Sequence, residues 1–146
     1  MITFETSVRI RRPIEEVFSY VADPLNFPRW NSAVEAVRKT SAAENGVAST
    51  YSMERELPTG RAVNELEVVA SQQRREFAIR TTAGPTAFLY RYRFFEERGE
   101  TVVRLDAEVE LQGTAALLPP IARRLVKNGV DDNLATLKQI LEGARR

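Results

Sequence analysis

The feature that most constrains the fold is a two-residue alternation of apolar and polar side chains that runs, with interruptions, from Val34 to Leu111. Each uninterrupted segment has the period and length of a half-buried β-strand, and turn-forming residues separate the segments. Six strands are predicted at about 34–39, 47–57, 61–71, 74–82, 86–96 and 100–111. Residues 2–10 alternate in the same way and predict an additional strand at the start of the chain.

Two helical segments flank the predicted meander. Pro13 suits the first turn of a helix, and Asp23-Pro24 ends that helix. Leu118-Pro119-Pro120 starts a second, long helix that reaches about Gly143. The apolar stripe predicted for this helix consists of Val126, Val130, Leu134, Leu137 and Leu141. The pattern predicts a single α+β domain over residues 1–146, with an antiparallel meander wrapped around a C-terminal helix.

Four hairpins set the predicted register of the meander. Two-residue turns are expected at Thr59-Gly60, Gln72-Gln73, Gly84-Pro85 and Arg98-Gly99. These turns pair Arg55 with Asn64, Met53 with Leu66, Val68 with Phe77, Asn64 with Thr81, Thr81 with Phe88, Ile79 with Tyr90, and Tyr92 with Leu105. All four turns place the apolar residues on one face of the sheet, because opposite residues in a hairpin share a face.

One row of the predicted inner face is polar, since Arg55, Asn64 and Thr81 point inward at the same height. An unpaired arginine in a dry interior costs several kcal/mol, so Arg55 must meet an acceptor. That acceptor is the Asn64 carbonyl, a tyrosine oxygen, trapped water or a ligand. Two interpretations stay open: a cross-strand hydrogen bond at the wet rim of the sheet, or a guanidinium that donates to a ligand.

Composition excludes several classes of function. The chain has neither cysteine nor histidine, which rules out disulfides, thiolate or His-ligated metal sites, and Ser-His-Asp catalysis. No metal and no cofactor are therefore expected. The net charge of +1 does not favour nucleic acid as a partner. Without a long apolar segment or a signal-peptide pattern, no membrane insertion is expected, and the chain is predicted to be cytoplasmic.

The whole chain resembles the START/Bet v 1-like (SRPBCC) superfamily, and within it the polyketide cyclase/dehydrase-like and lipid-transport-like proteins. The best local marker is the segment after the first helix that contains Asp23, Pro24, Pro28, Trp30 and Asn31. The resemblance implies a helix-grip fold, in which a seven-stranded antiparallel sheet curls around the long helix and leaves a cavity. Two short helices between the first two strands would close one end, with Phe27, Trp30 and Leu25 as an apolar plug.

The candidate ligand-binding residues face this expected cavity. They are Trp30, Tyr51, Met53, Arg55, Asn64, Thr81, Phe88, Tyr90, Tyr92 and Gly129. Several have a structural alternative: Trp30 can anchor a small core, and each tyrosine can be a core residue whose hydroxyl reaches solvent. Gly129 either makes room for a ligand or for the sheet, or is a tolerated weak point in the helix.

Three functions remain open. The first is binding of a small hydrophobic molecule, lipid-, sterol- or polyketide-like, with a carbonyl or carboxylate end. The second is a polyketide cyclase/dehydratase-type enzyme, in which Arg55 stabilises an enolate while Tyr51, Tyr90 or Tyr92 handles the proton. Such an enzyme would need a carboxylate or an Arg55-activated tyrosine as its base. The third, a protein-interaction module, needs an exposed apolar patch, but the outward positions of the meander are mostly charged.

Overall fold

A computed structural model describes residues 1–41, 46–57, 60–110 and 119–143. Strand β1 (Ile2–Ile10) is followed by helix α1 (Ile14–Val21), a 3-10 turn (Pro24–Asn26) and the short helix α2 (Phe27–Trp30). The meander consists of β2 (Val34–Lys39), β3 (Thr50–Leu57), β4 (Gly60–Gln72), β5 (Glu76–Ala83), β6 (Phe88–Glu97) and β7 (Glu100–Val109). Helix α3 (Pro119–Gly143) follows the meander.

The seven strands form one antiparallel sheet in the order β1-β7-β6-β5-β4-β3-β2. The sheet curls around α3, and its concave face and the three helices enclose the hydrophobic core. The predicted helix-grip fold is therefore confirmed. The predicted strand boundaries are close to the observed ones; the largest shift at a strand start is at β3, which begins at Thr50 rather than at residue 47.

Local chemistry explains how the chain passes from β1 to β2. Pro13 occupies the N-cap of α1 with an extended backbone (φ −61°, ψ 148°). The side chain of Asp23 accepts a hydrogen bond from the Leu25 backbone amide and so caps the 3-10 turn that Pro24 begins. These residues direct α2 onto the open side of the sheet.

The registers of β5 with β6 and of β6 with β7 are confirmed. Ile79 lies opposite Tyr90, and Tyr92 lies opposite Leu105. The turn between β6 and β7 consists of Arg98 and Gly99, which both have positive φ (54° and 80°). Two successive residues with positive φ are typical of the type I′ turn that joins tight hairpins.

The predicted register of β3 with β4 is wrong by two residues. Arg55 lies opposite Ala62 rather than Asn64, and Met53 lies opposite Asn64. Leu57 pairs with Gly60, so Gly60 belongs to β4; Thr59 of the predicted turn lies outside the described residues. A shift of two residues leaves every side chain on its predicted face.

The predicted register of β4 with β5 is also wrong, by two residues between Leu66 and Val68, for a different reason. The turn is one residue longer than predicted, because Gln72 pairs with Glu76 and Arg74 adopts a φ of 67°. The pairing then shifts once more between Val68 and Ala70, which marks a β-bulge. Either change alone would exchange the buried and exposed faces of the strand. Together they keep the apolar side chains on the concave face, with Val68 opposite Ile79.

Helix α3 packs its apolar stripe against the concave face of the sheet. Val130, Leu134, Leu137 and Leu141 are buried as predicted, whereas Val126 is only partly buried. None of the described helices is both long enough and apolar enough to cross a membrane.

The convex face of the sheet carries cross-strand ion pairs. They join Arg80 to Glu67 (2.9 Å), Arg91 to Glu76, and Arg93 to Asp106. The charged outer face agrees with the sequence pattern, and it does not favour the protein-interaction hypothesis.

The C-terminal end of α3 is tied to the β1–α1 connection by Glu142, which predicts a pH-dependent stability. Its carboxylate accepts from Lys138 Nζ (2.7 Å) and from the Arg11 backbone amide (2.9 Å). These hydrogen bonds lower the pKa of Glu142 to about 2, so its contribution is complete above the usual pKa and is lost as the pH falls towards 2. Glu142→Gln should lower the unfolding free energy by up to about 1 kcal/mol at pH 7.

Thermal unfolding of wild type and Glu142→Gln between pH 7 and pH 2 measures this contribution. The difference between the two proteins should shrink below about pH 4. Glu108→Gln is the control, because Glu108 makes no ion pair with the described residues. If the stability difference between wild type and Glu142→Gln stays constant down to pH 2, the lowered pKa of Glu142 does not contribute to folding stability.

Candidate ligand-binding site

A cavity of about 100 Å³ lies between the concave face of the sheet and the helices α2 and α3. Among the described residues it is lined by Phe27, Asn31, Ala33, Val34, Met53, Arg55, Ile79, Phe88, Tyr90, Tyr92 and Asn133. Sites for drug-sized molecules usually measure about 300–1,000 Å³, so this cavity is smaller than the sequence led us to expect. Most of these residues are apolar or aromatic, but polar atoms make up a comparable share of the cavity wall.

Aromatic side chains form a continuous wall from α2 to β6. Trp30 packs edge-on against Phe27 (5.9 Å between ring centroids) and against Tyr92 (6.2 Å). The ring centroid of Tyr92 lies 6.4 Å from that of Tyr90, and the centroid of Tyr90 lies 4.6 Å from that of Phe88. Of the three residues predicted to form an apolar plug, Phe27 lines the cavity and Trp30 packs against Phe27, whereas Leu25 is exposed.

Arg55 on β3 brings the cavity its only positive charge among the described lining residues. Its Nε donates to Asn64 Oδ1 (2.9 Å) and its Nη2 donates to the Pro85 carbonyl (3.0 Å). Asn64 is fully buried and donates to the same Pro85 carbonyl (2.8 Å) and to the Ala83 carbonyl (3.3 Å). Arg55 and Asn64 thus hold the β5–β6 connection against the cavity.

Gly84 makes this arrangement possible. Its φ of 104° lies in a region that side-chain-bearing residues rarely adopt. A Cβ at this position would lie 2.6 Å from Asn64 Nδ2 and 2.9 Å from Asn64 Cα. The turn can therefore approach Asn64 closely only because residue 84 has no side chain.

Within the part of the chain that the structure describes, no carboxylate balances the charge of Arg55. No acidic side chain among the described residues lies within ion-pair distance of its guanidinium. Burial lowers the pKa of Arg55, although an arginine remains protonated at neutral pH. The partly buried cation instead makes hydrogen bonds to the neutral oxygens of Asn64 and Pro85.

The tyrosines of the cavity are protonated. Burial raises the pKa of Tyr90 to about 12, even though Arg55 favours the phenolate. Burial, with Tyr90 as a smaller cause, raises the pKa of Tyr92 further. The hypothesis of a tyrosine base activated by Arg55 is therefore wrong for Tyr90, which can act as a hydrogen-bond donor but not as a base near pH 7.

Five of the predicted ligand-binding residues line the cavity: Met53, Arg55, Phe88, Tyr90 and Tyr92. The other five do not, and they are Trp30, Tyr51, Asn64, Thr81 and Gly129. Trp30 packs against the lining residues Phe27 and Tyr92, and Asn64 accepts a hydrogen bond from the lining residue Arg55.

The remaining three residues, Tyr51, Thr81 and Gly129, lie in the core, in a backbone contact and on the helix surface, respectively. Tyr51 is buried in the core, where burial raises its pKa. Thr81 accepts a hydrogen bond from the Phe88 backbone amide (3.0 Å). It lies opposite Leu66, and Arg55 lies opposite Ala62, so the predicted row of three polar side chains at one height does not form. Gly129 is exposed, and a Cβ there would meet no atom within 4 Å, so it makes room neither for a ligand nor for the sheet.

Sequence reasoning missed the two amides that line the cavity, Asn31 and Asn133. Asn31 belonged to the family marker, but no role was assigned to it. Asn133 lies three residues after Val130 and four before Leu137, at the border of the buried stripe of α3. A polar residue at helical spacing within an apolar stripe was the signal that could have identified it.

The fold and the cavity define a helix-grip protein with an internal site. Residues 1–142 match the sequence profile of the family described as polyketide cyclase/dehydrase and lipid transport, and the chain belongs to this family. No curated protein matches the sequence significantly.

Solved structures share the fold at low sequence identity. A START superfamily protein from Mycobacterium smegmatis superposes with a TM-score of 0.83 at 16% identity, covering 97% of each chain. An aromatase/cyclase from Streptomyces sp. R1128 has a TM-score of 0.68 at 17% identity and covers 97% of this chain and 91% of its own. A di-domain aromatase/cyclase of the BE-7585A biosynthetic pathway gives 0.74 at 21% identity, over 99% of this chain and 51% of the other.

We expect Gly84→Ala to destabilise the protein by about 2–4 kcal/mol, because strain at positive φ adds to overlap with Asn64. Gly99→Ala is the matched control: its φ is also positive (80°), but a Cβ there would meet nothing within 4 Å. It should cost only about 1 kcal/mol. Urea denaturation measures both values, and equal losses would show that Gly84 is not required for close packing.

Proposed function

We propose that the protein binds a compact organic molecule with an apolar body and a carboxylate or carbonyl end. The observation that carries this proposal is the position of Arg55, a partly buried cation on the wall of an apolar cavity without an acidic partner among the described residues. An anionic or strongly polar acceptor would compensate its charge with charge-assisted hydrogen bonds. Among the described residues, Asn64 and Pro85 are the hydrogen-bond partners of its guanidinium and engage two of its five N–H groups.

The size of the cavity limits the body of the ligand. An apolar cavity of about 150 Å³ binds benzene in another protein, so a cavity of about 100 Å³ encloses at most part of a ring or a short branched chain, and the polar end of the ligand lies at the rim. A lipid, a sterol or a full-length polyketide would need the cavity to open. The proposal therefore narrows the expected ligand to an acid or ketone of about the size of benzoate.

The alternative function is the cyclisation or dehydration of a β-ketone substrate. It is supported by the family to which the chain belongs and by the aromatase/cyclases among its structural relatives. Arg55 and the protonated Tyr90 could both donate hydrogen bonds to a ketone oxygen and stabilise an enolate. The described lining includes no carboxylate that could remove a proton, which favours binding over turnover.

Binding is tested with sodium benzoate as the probe, by saturation-transfer NMR and titration at pH 7. Benzoate should bind the wild type, and Arg55→Met should weaken its binding about tenfold or more, because the methionine keeps the apolar stem and removes the charge. Benzylamine, which has the opposite charge, should not bind.

Arg80→Met is the matched control for this experiment. Arg80 is exposed, pairs with Glu67 on the convex face, and does not line the cavity, so the variant should bind benzoate as the wild type does. Failure of benzoate and of similar-sized acids and ketones to bind the wild type would refute the proposal. An equal loss in both arginine variants would refute the role of Arg55.

For the enzymatic alternative, we expect binding without conversion. Incubation of the protein with a linear triketide acid, followed by mass spectrometry, should recover the substrate unchanged beyond the uncatalysed rate. Turnover that falls in Tyr90→Phe would instead establish the cyclase function, since phenylalanine removes only the donating hydroxyl.

A further inference from the structure

Two amide side chains supply polar atoms on the helical side of the cavity. Asn31 is the C-cap of α2, and Asn133 lies on α3. Asn133 Nδ2 donates to Asn31 Oδ1 across 3.4 Å, so the two residues join α2 to α3 at the wall of the cavity. Arg55 lines the same cavity from the sheet.

Backbone partners fix the orientation of both amides. The Ser32 backbone amide donates to Asn133 Oδ1 (3.1 Å), and Asn31 Nδ2 donates to the Phe27 carbonyl (3.2 Å). A backbone N–H can only donate and a carbonyl can only accept, which settles which atom of each amide is the oxygen. Both amide oxygens therefore already accept a hydrogen bond.

The hydrogen-bonding groups of Asn133 and Arg55 that have no partner among the described residues are donors. Asn133 Nδ2 has one hydrogen without a partner among the described residues and a second in a 3.4 Å contact, which is near the limit for a hydrogen bond. Arg55 retains three N–H groups. The cavity thus offers donors from the sheet and from α3 to a ligand that supplies acceptors.

We propose that Arg55 and Asn133 together recognise a carboxylate, and that Asn31 and the Ser32 amide hold Asn133 in position. This inference rests on the proposed function. It narrows the polar end of the ligand from a carbonyl or a carboxylate to a group with two acceptor oxygens on one carbon. One oxygen accepts from the guanidinium and the other from Asn133 Nδ2. In a cavity of about 100 Å³, a ligand of a few heavy atoms contacts both walls.

Selectivity follows from the second oxygen. A ligand with one acceptor engages Arg55 but leaves the Asn133 donor without a partner, and an unpaired donor in a partly closed site costs affinity. Acetophenone is the matched probe for size, because a methyl group replaces one oxygen of benzoate without a change in the number of heavy atoms. It also lacks the negative charge of benzoate, so the response of the two probes to substitution of Asn133, rather than the wild-type preference alone, reports on the second oxygen. The wild type should bind benzoate more tightly than acetophenone.

The test compares the dissociation constants of benzoate and acetophenone in variants of Asn133. Asn133→Leu should weaken benzoate about tenfold and change acetophenone by less than about twofold. Asn133→Asp keeps the oxygen that the Ser32 amide needs but replaces the donating nitrogen by an acceptor and adds a negative charge, so it should weaken benzoate more than Asn133→Leu does. Asn128→Leu is the control, because Asn128 lies on the same helix but is exposed and does not line the cavity.

Three results would overturn the inference: benzoate binding unchanged in both Asn133 variants, equal weakening of both probes, or no preference of the wild type for benzoate. Equal weakening would mean that Asn133 only joins the two helices. These results leave the proposed function intact as long as Arg55→Met still weakens binding. If benzoate and acetophenone both fail to bind the wild type, the proposed function itself is refuted.

Discussion

The two-residue period of the sheet is the constraint on which the rest of the structure depends. A strand that slips by one residue exchanges its buried and exposed sets, whereas a slip of two preserves them. Between β4 and β5 the turn is one residue longer than a tight hairpin, and the bulge between Val68 and Ala70 restores the facing. The apolar wall therefore stays inward, and Arg55 on β3 stays beside the cavity rather than on the convex face.

The arginine that reaches the cavity is held by neutral partners. Desolvation disfavours a buried cation, and an ion pair with a carboxylate would be the usual compensation. Here Asn64 and the Pro85 carbonyl provide hydrogen bonds without cancelling the charge, and the absent side chain of Gly84 lets the turn come close enough. Among the described residues no carboxylate compensates the charge of Arg55, and an anionic acceptor in the cavity would do so; this is the physical basis of the proposed function.

The small volume of the cavity and the kinds of polar atoms around it limit the chemistry that we propose. Tyr90 is protonated, Arg55 is cationic and Asn133 presents its amide nitrogen, so the site offers hydrogen-bond donors. Donors of this kind can stabilise an enolate oxygen. Proton abstraction requires a base as well, and the described lining does not provide one.

The sequence by itself determined the order of the strands and helices, their approximate limits, and the face on which each side chain lies, because these properties follow from local periodicity and turn chemistry. It also identified Met53, Arg55, Phe88, Tyr90 and Tyr92, since their parity placed them on the concave face. Only the tertiary structure decided that Arg55 meets Asn64 diagonally, that Thr81 and Gly129 lie away from the cavity, and that Asn31 meets Asn133. Such contacts depend on register shifts of two residues, on a bulge and on how α3 lies against α2, and the alternation of side chains is the same whichever of these arrangements forms.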